Sequence, residues 1–205
     1  AAEVVALARE LALIETTGAR GHITQLSCAR SVDKIAEAKA RGLNVTAAVS
    51  VHHLHLSEQD IGEFDTRCHV MPPLRSIADR GALREGLASG VIDAICSDHQ
   101  PHGLDAKLAP FSESAPGIAG LETLLSLTLK LVDEGVLTLS EALARVTIHP
   151  ARILNINGGQ LLSGAPADIC IFDPEATWLV DATSLQSRGS NTPFDRHTLR
   201  GFVDT

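Results

Sequence analysis

The sequence has almost no aromatic surface to offer: five Phe, one Trp and no Tyr in 205 residues. Binders of single-stranded nucleic acid stack bases on such rings, so that class is disfavoured. Positive charge is also short, with 17 Lys and Arg against 25 Asp and Glu and a formal net charge of −8. Without a basic stripe the chain lacks both the electrostatic footprint of a nucleic-acid binder and the patches that hold a protein on anionic lipid. No apolar run approaches the roughly 20 residues of a membrane span. The four cysteines (Cys28, Cys68, Cys96 and Cys170) are far apart and form no CxxC pair, which removes zinc knuckles and dithiol redox motifs. A chain of this length needs no covalent staples, so the thiols point to a reducing, cytoplasmic setting. No initiator Met, signal peptide or transit segment precedes the first helix. The expectation is a chain that begins inside a longer polypeptide.

What is present is a globular composition, 44% hydrophobic and 20% charged. Val4, Val5, Leu7, Ala8, Leu11 and Ile14 recur at helical spacing over residues 1–17, with Gly18 as the stop. Strands and helices then alternate. Residues 22–27, 44–51 and 91–97 read as strands, the last apolar almost throughout, as a parallel strand covered on both faces should be. Residues 32–40 read as a helix with Val32, Ile35, Ala36 and Ala40 on one face. Residues 75–89, 121–134 and 140–154 read as further helices. Such alternation implies right-handed βαβ units in a parallel sheet or barrel. Three strong strands are too few for a closed barrel of eight, so this part is either a small open sheet or the last portion of a barrel. After Asn155 the turn signals Gly158-Gly159 and Gly164-Ala165-Pro166 break the pattern. Short strands are expected at 160–163 and 167–172, with a last one near 199–203. The chain thus divides into an α/β part, 1–155, and a small β appendage, 156–205.

Nine histidines are many for this length. The sharpest element is Ser97-Asp98-His99-Gln100-Pro101-His102, directly after the strand at 91–96. An Asp at the C-terminal end of a parallel strand sits where such folds place their active sites. Asp98 can ligate a metal or act as a general base there, or it can simply cap the loop backbone; the Asp-His-X-Pro-His string favours chemistry. His102, four residues on, can reach a substrate anion. His22 reads as a hydrogen-bonded core residue. In Val51-His52-His53-Leu54-His55, neighbouring side chains on a strand point to opposite faces, so these histidines read as structural. His69-Val70-Met71-Pro72-Pro73-Leu74-Arg75 is an extended run before a helix. Arg75 either clamps a carboxylate or braces that helix. In Ala115-Pro116-Gly117-Ile118, the glycine either lets a ligand approach the backbone or belongs to a plain loop.

In this order the elements resemble the C-terminal half of a dihydroorotase, of the amidohydrolase superfamily of metal-dependent barrels. The resemblance runs along the whole chain. Gly164-Ala165-Pro166-Ala167-Asp168-Ile169 resembles the family's G-x-x-A-D turn, and Asn191-Thr192-Pro193-Phe194 its N-x-P-F. Asp-His-X-Pro-His and Pro-Pro-Leu-Arg favour dihydroorotase over hydantoinase, dihydropyrimidinase or allantoinase relatives.

The resemblance implies the sixth, seventh and eighth strands of a (β/α)8 TIM-like barrel. It implies that Asp98 binds zinc and shuttles the proton, that His102 helps bind the substrate carboxylate, and that Pro116 and Gly117 touch the pyrimidine ring. The implied reaction is the reversible closure of N-carbamoyl-L-aspartate to L-dihydroorotate, in which a metal-bound hydroxide attacks a cyclic amide in the reverse direction. Two positions depart from the family. Gln25 stands where the second His of H-x-x-H-x-S ligates the metal, and an amide is a poor zinc ligand beside imidazole. Met71 stands where the Asn of N-P-P-L-R binds substrate, and offers no comparable hydrogen bond. The family's first-strand H-x-H-x-R, its fourth-strand bridging residue and its fifth-strand His are absent from this chain. The chain alone is therefore expected to be inactive. An alternative is a catalytically inactive dihydroorotase-like subunit that scaffolds aspartate transcarbamoylase; another is a hydantoinase- or allantoinase-type enzyme. A barrel portion would leave strand edges unpaired, so homo-oligomerisation or poor solubility is expected.

Overall fold

A computed structural model describes residues 1–204; the final residue of the expected appendage, Thr205, lies outside the described residues. In chain order the elements are α1 (Ala2–Thr17), β1 (Gly21–Ile23), α2 (Ala29–Ala40), β2 (Val45–Ser50), α3 (Ile77–Ala88), β3 (Ala94–Cys96), α4 (Leu124–Asp133), α5 (Leu139–Val146), α6 (Ile148–Leu154), β4 (Phe172–Leu179) and β5 (Thr198–Val203).

β1, β2 and β3 form a parallel sheet in that order, with Gly21 opposite Val45 and Ser50 opposite Cys96. β2 lies in the centre. All its residues but Thr46 are buried, with α2 packed against it and β1 and β3 paired on its two sides. Among the described residues β1 and β3 each pair on one side only. The core gathers Ile35, Val49, Leu83, Leu87, Ile92, Ile118, Leu127 and Leu131 around these strands. Among the described residues no helix is long and apolar enough to cross a membrane.

Local chemistry sets the boundaries. Gly18 ends α1 in the left-handed conformation, φ 66°, its N–H donating to Ile14 O. α1 buries Leu7 and Leu11, while Val5 faces outward at 70% exposure. The buried face of α2 is Val32, Ile35 and Ala38; Ala40, expected on that face, is exposed. Ser76 caps α3 by accepting from Asp79 N, and Thr138 and Glu141 cap α5 reciprocally. The single helix expected over 140–154 is two helices that meet at Thr147. Pro150 explains the break: its ring clashes with the carbonyl four residues back, at Val146, and it has no N–H to donate there.

The expected strand over 22–27 stops at Ile23, because Gln25 has φ 57° and a left-handed residue cannot continue a strand. The strand expected over 91–97 shortens to 94–96, and Asp98 again has φ 45°. Beyond α6, residues 160–163 and 167–171 form no strand. The strand is instead β4, which the sequence hid behind Asp173-Pro174-Glu175. Pro174 cannot donate to a ladder, so the antiparallel pairing of β4 with β5 shifts register between Asp173 and Thr177. Asp173 Oδ1 accepts the N–H groups of Glu175 and Ala176 across the irregularity. The hairpin lies on α4, whose Ser126 Oγ donates to Gly201 O and accepts from Trp178 Nε1, both at 3.0 Å. With the core on one side and the hairpin on the other, α4 buries Leu127, Leu129 and Leu131 around its circumference.

Candidate functional site

Parallel strands bring their C-terminal ends to one edge of the sheet, and side chains from the three strand ends meet at Asp98. Its side chain is 6% exposed. Oδ1 accepts from Gln25 Nε2 at 2.5 Å and from Gln100 Nε2 at 3.0 Å; Oδ2 accepts from Ser50 Oγ at 3.1 Å. Ser50 ends β2, and Gln25 follows β1 by two residues. Asp98 and Gln25 both hold positive φ. The two left-handed residues thus meet through their side chains. Strained backbone of this kind persists where surrounding contacts over-determine it.

His52 lies next to Asp98. Its Nε2 is 3.8 Å from Asp98 Oδ2, beyond hydrogen-bond reach, and neither ring nitrogen has a partner among the described residues. Near-total burial holds its pKa well below the usual histidine range, so the ring is neutral. The His52–His55 run is a tight 3-10 turn, Val51–Leu54, and not the strand expected from the sequence. The alternation argument fails there, but the structural role it suggested is what His53 and His55 perform. His53 Nε2 donates to Pro72 O at 3.1 Å, and His55 Nε2 to Leu127 O at 2.8 Å. Burial pushes the His55 pKa down to about 3.

His102 Nε2 donates to Pro116 O at 3.0 Å, which brings His102 beside Pro116 and Gly117. Gly117 has φ 133°, and a Cβ there would lie 2.5 Å from Gln100 Cβ, so only glycine fits. Gln100 ties this cluster to Asp98: its side chain reaches Asp98 while its N–H donates to Ile118 O at 2.8 Å.

Other expectations are corrected. His22 is exposed and hydrogen-bonded to Thr46 Oγ1 at 2.8 Å; it is not a core residue, because it sits on the edge strand β1. Arg75 does not brace the helix that follows it. It donates to Ser27 Oγ at 3.1 Å and pairs with Glu3 at 3.5 Å, tying α1 to the start of α2. Met71 is 58% exposed. Sequence reading assigned no role to Ser50, Gln100 or Asn191. Gln100 and Asn191 lie inside motifs quoted for the family resemblance, but their hydrogen bonds required the folded loops. Ser50 carried no signal beyond its place at a strand end.

Zinc was expected at Asp98 from the family resemblance. Among the described residues no three His, Cys, Asp or Glu side chains converge as a metal site. Both Asp98 oxygens are engaged by amide and hydroxyl donors, and Gln25 offers an amide where imidazole would be required. The donors in this chain, as arranged, do not fit zinc.

A strand-end carboxylate, Asp98, thus lies beside a histidine loop at the C-terminal edge of a parallel sheet. Residues 4–203 match the amidohydrolase family, and the chain belongs to it. Among individual proteins it is similar to a dihydroorotase of Syntrophus aciditrophicus, 48% identical over 98% of this chain and 47% of that protein. It is also similar to a dihydroorotase-like protein of Pseudomonas aeruginosa, 47% identical over 98% of this chain and 48% of that protein. The chain spans about half the length of the curated relatives it matches. Its α/β fold likewise overlays about half of solved hydantoinase chains. L-hydantoinase of Arthrobacter aurescens superposes with a TM-score of 0.91 at 28% identity, covering 98% of this chain and 47% of that one. A D-hydantoinase gives 0.89 at 28% identity, covering 98% and 46%.

Proposed function

We propose that this chain is part of a dihydroorotase-like protein of pyrimidine biosynthesis whose strand-end site recognises ligand without carrying a catalytic metal. In this reading residues 1–155 are the C-terminal portion of a (β/α)8 barrel, with β1, β2 and β3 as its sixth, seventh and eighth strands. Residues 156–205 are its β appendage. The whole protein is a cytoplasmic homo-oligomer that scaffolds aspartate transcarbamoylase. The observation that carries the reading is the occupancy of Asp98: Gln25, Gln100 and Ser50 donate to three of the roughly four lone-pair sites on its two oxygens, in competition with a metal or a proton. The likeness to the Pseudomonas dihydroorotase-like protein supports it. His102, Pro116 and Gly117 keep the residue types and the proximity suited to a small cyclic amide bearing a carboxylate.

The second reading is a zinc dihydroorotase that converts N-carbamoyl-L-aspartate to L-dihydroorotate. Asp98 at its strand end and the 48% identity to a dihydroorotase favour it. A hydantoinase- or allantoinase-type activity has the structural overlay behind it. Metal analysis of the full-length polypeptide, after dialysis against a weak chelator, separates these readings. The expected result is substoichiometric zinc, no turnover of N-carbamoyl-L-aspartate, and co-elution with aspartate transcarbamoylase. Stoichiometric zinc with turnover would overturn the scaffold reading in favour of the enzyme. Turnover of hydantoin or allantoin instead would install the third.

A further inference from the structure

The segment Gln186–Asn191 crosses the two loops that carry His102 and Gly117, and it is anchored twice. At one end the Glu122 carboxylate accepts the N–H groups of Gln186 at 2.9 Å and Ser187 at 3.0 Å. At the other end the Asn191 side chain, in a residue only 3% exposed, uses every donor and one acceptor it has. Its Oδ1 accepts from His102 N at 2.7 Å; its Nδ2 donates to Gln100 O and Gly117 O, each at 2.9 Å. Its backbone carbonyl accepts from Ala119 N at 3.0 Å. Between the anchors, Gly189 lies so close to the histidine loop that a Cβ would sit 2.5 Å from His102 N and 2.6 Å from Pro101 Cα.

Past the end of β3 the histidine loop has little ladder to hold it: His99 and Ile118 form an isolated bridge, and Gln100 N–H meets Ile118 O. One primary amide therefore supplies much of the bonding that sets His102 and Gly117 relative to each other. Asp would lose both donors, and Ala would leave one N–H and two carbonyls without their partner.

We propose that Asn191 is a positioning residue: it clasps the His99–His102 loop to the Pro116–Ala119 segment, so that His102 and Gly117 meet a ligand as one pre-set unit. Residues 186–191 are then a strap, fixed at Glu122 and Asn191, that makes the appendage part of ligand recognition. The ligand consequence rests on the proposed role of His102, Pro116 and Gly117; the clasp itself does not.

The test uses the full-length polypeptide, with Asn191→Ala and, separately, Gly189→Ala. The second variant leaves the Asn191 amide in place but wedges the strap away, and it keeps the proposal testable if the first does not fold. Amide hydrogen exchange at His102 and Ala119 should quicken by about tenfold or more in each variant, while amides of α2 and β2 keep their rates. Affinity for L-dihydroorotate, the probe ligand, should fall by about tenfold or more in calorimetry run well below each variant's thermal midpoint. Unchanged exchange at His102 overturns the clasp. Faster exchange with unchanged affinity overturns the positioning role. If the wild-type protein binds no L-dihydroorotate, the ligand reading fails, and the exchange data still decide whether Asn191 holds the two loops.

Discussion

The two sheets of this chain meet water on different terms. β2 has five of its six residues buried and β3 two of its three, while the edge strand β1 is half-buried at Gly21 and Ile23 and exposed at His22. β4 alternates half-buried and exposed along all eight residues, and its partner β5 leaves Phe202 and Val203 outside. The parallel sheet is held by burial on two faces, the hairpin by one face on α4. Order in the first is a property of the core. In the second it depends on a few specific contacts at Ser126, Trp178 and Gly201.

The sharpest way to break this comparison is to remove matched leucines. Leu87→Ala, at a fully buried position, should cost about 2–5 kcal/mol in denaturant unfolding. Leu161→Ala, at 81% exposure, should stay within about 0.5 kcal/mol. Equal effects would mean that the 156–171 segment carries buried surface this structure does not assign to it.

Acid should act on the first region before the second. His55 has a folded pKa near 3, well below the ordinary value for an unfolded histidine. Between those values the unfolded chain binds a proton that the folded chain does not. Stability is therefore full above about pH 6.5 and falls as pH drops toward 3, by roughly 1.4 kcal/mol per pH unit from this group. His52 and His53, also depressed by burial, add in the same direction. Urea midpoints at pH 7 and pH 5 should separate accordingly, and His55→Gln should flatten the slope by one proton's worth.

Within the hairpin, Gly201→Ala should cost about 1–3 kcal/mol. Gly201 has φ 90°, and an added Cβ would run into Leu129 Cδ1 of α4. A smaller effect, about 1 kcal/mol, is expected for Thr138→Ala, which strips the cap from α5. Thermal melts followed by circular dichroism rank both.

How much of this was legible in the sequence follows the same divide. Strand–helix alternation over 1–155 was readable because double-sided burial writes continuous apolar runs. Boundaries failed where single residues override periodicity: Gln25 and Asp98 with positive φ, and Pro150 breaking a helix. In the appendage, Asp173-Pro174 reads as a turn, yet it is a strand irregularity satisfied by the Asp173 side chain; nothing short of the fold announces that. At the site, Asp98, His102, Pro116 and Gly117 were named from their motifs, and the last three do cluster. Gln25 was singled out by its motif position, but its bond to Asp98 was not readable, because the two are remote in sequence and meet only when β1 and β3 flank β2; Gln100, two residues from Asp98, carried no motif signal of its own.

One consequence concerns spectroscopy. With a single tryptophan and no tyrosine, intrinsic indole fluorescence comes from Trp178 alone. That indole sits on the hairpin and donates to Ser126 of α4. A red shift in its emission therefore timestamps the lifting of the hairpin, while helical ellipticity tracks everything else, so the two sheets carry separate clocks without a label being added.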